Sequence, residues 1–192
     1  MKNFRLARLA SLVCLTGGMI QVVYGLLAIP FGPYSQHTYG WDEVLWALAN
    51  VGMIGAVLGL LALDVARPRW LAGFGGALAI LGQLIRIVVS ALIVLRPSWD
   101  PTAPILMSIL LMLLGMGLLG IATLLGKHLT GWQAWTPLLV PAFGLITAAF
   151  YSINQFIHFI LLGLWGLPWM LVGYVVFTYV PKLEKVTGDD YR

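Results

Sequence analysis

Charge is what this chain has least of. Only 9% of its 192 residues are Asp, Glu, Lys or Arg, against 60% hydrophobic, and the mean hydropathy is +0.94. A soluble domain carries about a quarter charged residues, so an ordinary soluble fold is excluded and an all-α integral membrane protein is expected. Cysteine is almost absent too. Cys14 stands alone, which rules out an intramolecular disulfide, a Cys-x-x-Cys metal site and a dithiol redox pair. Enzyme signatures are missing: there is no Gly-x-Ser-x-Gly, no His-Glu-x-x-His, no phosphate-cradling glycine loop and no Asp pair inside an apolar run. Of the three histidines only His158 lies within a span, so haem held between paired histidines is not expected. No carboxylate falls at mid-depth, which weighs against a carrier coupled to protons or sodium. The sequence names no cofactor and no metal, and a non-enzyme is the favoured class, with an intramembrane enzyme using His158 as general base ranked third.

What is present is apolar length. A bilayer-spanning helix needs roughly 20 apolar residues, and six such runs fill the sequence as one transmembrane domain, 1–192. They are expected at about 6–29, 42–63, 70–95, 104–125, 137–162 and 165–181. The first follows Lys2, Arg5 and Arg8 like a signal peptide, but it is too long for an h-region and lacks a small-x-small ending, so it reads as an uncleaved helix. Pro30, Pro33 and Ser35-Gln36-His37-Thr38 form the first loop. The last boundary has two readings. A turn at Gly163–Pro168 is preferred because two Gly and a Pro cluster there, and a turn at Asn154-Gln155 is the rival.

The net charge of +4 does not signal nucleic acid, because the basic residues sit at helix ends rather than in a patch. With both termini inside, nine of the eleven lie on the cytoplasmic side: Lys2, Arg5, Arg8, Arg67, Arg69, Lys127, Lys182, Lys185 and Arg192. That satisfies the positive-inside rule and gives an N-in, C-in six-helix bundle, expected in a bacterial cytoplasmic membrane. The eight tryptophans fall near helix ends and read as interfacial anchors. Glycine faces such as Gly52-x-x-Gly55-x-x-x-Gly59 and Gly115-x-Gly117-x-x-Gly120 allow close helix contact, within the bundle in preference to a dimer seam.

The polar residues inside the spans carry the functional expectation. Arg86 is the only charge in the interior of the third run, with Gln83 and Ser90 on its helix face. A buried guanidinium needs water, a carboxylate, a carbonyl or a ligand. Glu43, Trp46 and Asn50 share a face of the second helix; Gln21 and Tyr24 lie in the outer half of the first; Tyr151, Asn154, Gln155 and His158 share a face of the fifth. Four helices thus place polar groups at one depth. The bland alternative is that they satisfy one another. Taken together they indicate a pocket open to the outside. These eleven residues, Ser90 aside, are the candidate ligand-binding set: Gln21, Tyr24, Glu43, Trp46, Asn50, Gln83, Arg86, Tyr151, Asn154, Gln155 and His158. Arg86 either pairs with Glu43, or with Asp42 or Asp100, or holds an anionic ligand; the greater depth of Arg86 favours the ligand. The expected function is binding of a small polar or amphipathic molecule, as a transporter or its substrate-binding subunit. The alternative is a non-catalytic subunit of a larger membrane complex. Expected partners are the bilayer, a small ligand, and a homo-oligomer or larger assembly.

Overall fold

The computed structural model describes residues 3–31, 41–96, 98–151 and 153–189, with side chains described except at 28–31, 41, 155 and 181–189. Pro30, expected in the first loop, lies within the first helix, and the rest of that loop, with Pro33 and Ser35–Thr38, lies outside the described residues. All regular structure among them is helical: α1 (Phe4–Phe31), α2 (Trp41–Ala62), α3 (Arg69–Leu95), α4 (Thr102–Gly126), a 3₁₀ turn (Gly131–Trp135), α5 (Thr136–Ala149), α6 (Gln155–Leu164) and α7 (Gly166–Asp189). Helices are what apolar sequence must form in lipid, where no water satisfies backbone N–H and C=O groups. Five segments are long and apolar enough to cross a bilayer: Phe4–Leu27, Asp42–Ala62, Arg69–Leu95, Thr102–Gly126 and Phe156–Val180. The α5 helix has 14 residues and at 1.5 Å per residue covers only about 21 Å of a ~30 Å hydrocarbon core.

The helices close into a ring. The α1 helix packs on α2, α2 on α3, α3 on α4, α4 on α5, and α5 and α1 both meet the α6–α7 pair; α2 also touches α7 across the middle. Successive segments alternate in direction, so the C-terminal ends of α1, α3 and α5 meet the N-terminal ends of α2, α4 and α6. The opposite half is packed solid by Leu60, Leu63, Met116, Leu119, Trp169, Val172 and Val176. There the α2–α3 loop tucks under α4, with Arg67 N–H donating to the Ala122 carbonyl at 2.7 Å. Asp64 pairs with Arg67 at 2.6 Å and Arg69 at 2.8 Å.

Glycines set the closest approaches. A Cβ at Gly17 would lie 2.6 Å from the Gly52 Cα, and one at Gly25 would strike the Gly163 backbone. The seams bind this chain's own helices: α1 to α2, and α1 to α6.

One boundary differs from the preferred expectation. The chain turns at 150–154, not at 163–168. Asn154 is the N-cap of α6, its side chain accepting the Ile157 N–H at 3.1 Å, and Asn is among the strongest N-cap residues. At the expected turn only Trp165 separates α6 from α7, and its N–H still donates to the Leu161 carbonyl at 2.8 Å. Pro168 sits in the first turn of α7, where its missing N–H breaks no bond. Gly163 and Gly166 face Gly25 and Gly18 of α1; they are packing glycines. The expected helix 137–162 is therefore two helices, and 165–181 is the continuation of the second.

Two tryptophans change role with that boundary. Trp165 and Trp169 fall mid-span instead of at an outer end and are 5% and 0% exposed, so they are core residues and not interfacial anchors. Trp70, Trp132 and Trp135 remain exposed.

Candidate functional site

At the end where α2, α4 and α6 begin, the ring encloses a cavity of about 560 Å³, within the range usual for small-molecule sites. Every helix but α7 contributes to its wall. Gln21 and Tyr24 come from α1; Asp42, Glu43, Trp46, Asn50 and Met53 from α2; Gly82, Gln83 and Arg86 from α3. The α4 helix adds Thr102, Ile105, Ser108, Ile109 and Met112. Gly144, Thr147 and Ala148 come from α5 and Tyr151 from the turn after it, and His158, Phe159 and Leu162 from α6. Met53, Met112 and Trp165 are the deepest lining positions of their segments, with buried Trp169 one turn below Trp165.

Arg86 is paired. Its Nη1 lies 3.0 Å from Glu43 Oε2 and donates to Ser90 Oγ at 2.7 Å, and its Nη2 lies 3.5 Å from Glu43 Oε1. The two side chains are 13% and 14% exposed, so little water screens the attraction. The guanidinium carbon sits 5.3 Å from the Trp46 ring centroid, a cation–π contact, and Tyr24 meets Trp46 edge-on at 5.3 Å. The depth argument that separated Arg86 from Glu43 is overturned. Sequence position fixes the depth of a Cα; two long side chains close the remaining gap.

The α6 side has its own order. His158 Nδ1 lies 2.9 Å from the Thr147 carbonyl, and the His158 ring stacks edge-on with Tyr151 at 5.1 Å and Phe159 at 5.8 Å. Because the chain turns at 150–154, Tyr151, Asn154 and His158 do not share a helix face as expected. Tyr151 lies in the turn, Asn154 is spent on capping α6 and is absent from the wall, and His158 is in the first turn of α6. The Gln155 side chain lies outside those described. The remaining nine expected residues, Gln21, Tyr24, Glu43, Trp46, Asn50, Gln83, Arg86, Tyr151 and His158, all line the cavity.

Sequence reasoning missed the α4 wall and Thr147. The signal for α4 was weak but present: positions 102, 105, 109 and 112 follow helical spacing, and Thr102 and Ser108 are polar residues of the same outer half. An unbroken helix over 137–162 would put Thr147 in the inner half; with α5 ending at Ala149 it stands at cavity level. Outside the spans, Asp100 lies by the mouth. The Thr102 hydroxyl and backbone N–H hydrogen-bond its carboxylate, which holds its pKa below the usual carboxylate value.

Among the described residues no group of three or more His, Cys, Asp or Glu is arranged to hold a metal ion. The chain matches no family model, no curated protein and no solved structure.

Proposed function

We propose that this protein binds a small polar or amphipathic molecule in the cavity, as a transporter or as the substrate-binding membrane subunit of one. The observation carrying this reading is the wall itself: one ion pair, two fully buried glutamines and a set of aromatic rings converge from different helices on a space of about 560 Å³. Packing alone does not call for such a space, since interiors are normally filled to crystal density.

The orientation proposed with it is N-in and C-in, in a bacterial cytoplasmic membrane, with the cavity facing outward. Arg5, Arg8, Arg67, Arg69 and Lys127 all belong to the end opposite the cavity and Arg96 to the cavity end, which is the asymmetry the positive-inside rule describes. The 3₁₀ turn and α5 together would form the remaining crossing. The competing role, a non-catalytic subunit of a larger membrane complex docked through glycine faces, draws less on Gly17, Gly25, Gly52, Gly55, Gly115 and Gly163, whose surfaces are filled by this chain's own helices, than on Gly73 and Gly117, which have nothing within 4 Å of an added Cβ.

Native mass spectrometry of the protein released from detergent tests the binding role. Wild type should carry a small molecule of low mass in substoichiometric or full occupancy, and Ile109→Trp, which fills the cavity from α4, should lose it. Equal adducts on both proteins would reject the cavity as the site.

A further inference from the structure

Several donors in the cavity wall are paired, while two of its amide oxygens are not. Gln21 and Gln83 are each 1% exposed. Gln21 Nε2 donates to the Leu162 carbonyl at 2.7 Å and Gln83 Nε2 to Met53 Sδ at 3.5 Å, while the Oε1 of each has no hydrogen-bond partner among the described residues. Buried side-chain oxygens are almost always satisfied, so two orphans on side chains that line one cavity point to a guest that supplies hydrogens; Trp169 Nε1, also without a partner among the described residues, belongs to a residue outside the wall.

The strongest donor an anion would seek is already neutralised. Arg86 gives Nη1 and Nη2 to Glu43 and Ser90. Asn50 Nδ2 donates to the Trp46 carbonyl at 2.6 Å, and Trp165 Nε1 to the Val140 carbonyl at 2.8 Å. At His158 the partner of Nδ1 is a carbonyl, which only accepts. Nδ1 therefore carries the hydrogen, and in the neutral ring Nε2 is another acceptor.

Resting on the binding role argued above, we propose that the occupant is an uncharged or cationic small molecule bearing hydroxyl or amine donors, and not a carboxylate or phosphate. An anion would bring lone pairs toward the Gln21 and Gln83 oxygens. At Arg86 it would meet the Glu43 carboxylate already held there, and displacing that carboxylate would leave a nearly buried charge unpaired. A donor can pair with an amide oxygen and leave the ion pair intact. Ile105, Ile109 and Met112 of α4 offer apolar wall for a hydrocarbon portion.

The test compares six-carbon probes on the protein in nanodiscs of zwitterionic lipid: hexylamine, hexan-1-ol, methyl pentyl ether and hexanoate. Thermal stabilisation is titrated for each, and Ile109→Trp is run in parallel to subtract partitioning into lipid. The amine and the alcohol should bind at least about tenfold more tightly than the ether and hexanoate, because each carries a donor the other two lack. Gln83→Met, which removes an orphan oxygen and keeps the side-chain volume, should weaken the amine and alcohol and leave the ether unchanged. Hexanoate binding as tightly as the amine, and losing its affinity in Arg86→Met, would overturn the donor preference while the binding role survives. So would an ether equal to the alcohol. If no probe separates wild type from Ile109→Trp, both the donor preference and the binding role fail.

Discussion

Arg86 and Glu43 behave as one unit. The pair is mostly hidden from water, and the Arg is also held by Ser90 and Trp46. Removing one charge strands the other in a low-dielectric site, at roughly 3–5 kcal/mol, whereas removing both is close to neutral. Arg86→Met and Glu43→Gln should each lower the midpoint of thermal unfolding markedly, and the double variant should recover most of the loss. A double variant less stable than either single one would show that the two residues act independently. Gln21, Asn50 and Gln83 were recognisable in the sequence because an amide within an apolar run is costly and must face inward. Their partners were not: the Leu162 carbonyl and the Met53 sulfur carry no sequence signature that links them to a glutamine on another helix.

Within the helices, glycine does two different jobs that look alike in sequence. At Gly163 a Cβ would strike the Gly25 backbone of α1, and backbone cannot swing aside as a side chain can. Gly163→Ala should therefore cost roughly 1–3 kcal/mol through overpacking. Gly117 has nothing within 4 Å of an added Cβ, and Gly117→Ala should be neutral or stabilise by up to about 1 kcal/mol, since Ala is the better helix former. Thermal unfolding of the two variants side by side checks the contrast; equal losses would refute it. Asn154→Ala removes the α6 cap and should destabilise by about 0.5–2 kcal/mol, with loss of amide-exchange protection confined to the first turn of α6. The sequence offered two turns in this region. Gly and Pro mark a turn only where the backbone needs their special conformations, and here Gly163 and Gly166 are used for contact with α1, while Pro168 fits a first turn. Only the placement of α1 distinguishes these uses.

For the whole molecule, alternating directions set one end with the cavity and the α3–α4 loop against another with the α2–α3 loop and the 3₁₀ turn. If the cavity faces outward, a cysteine introduced at exposed Ser98 in a Cys14→Ala background should be labelled by a membrane-impermeant thiol reagent applied from outside, and one at exposed His128 should not. The reverse pattern would invert the proposed orientation. Cys14 itself should resist the same reagent in the parent protein, because its thiol is fully buried and donates to the Trp169 carbonyl at 3.1 Å.

The sequence by itself determined the solvent this protein lives in and the level at which its polar groups gather. Both follow from composition and helical period: an apolar run of bilayer length can only be a helix, and a costly side chain on it must turn inward. It could not determine that Arg86 meets Glu43, that α4 closes the wall, or that Trp165 and Trp169 lie in the core. These depend on which helices become neighbours and on how far side chains reach between them. The chain order of six apolar runs is compatible with several such arrangements. The Gly17–Gly52 and Gly25–Gly163 approaches fix α1 against α2 and α6, and with those contacts set, the ring closes around a space that no single helix encodes.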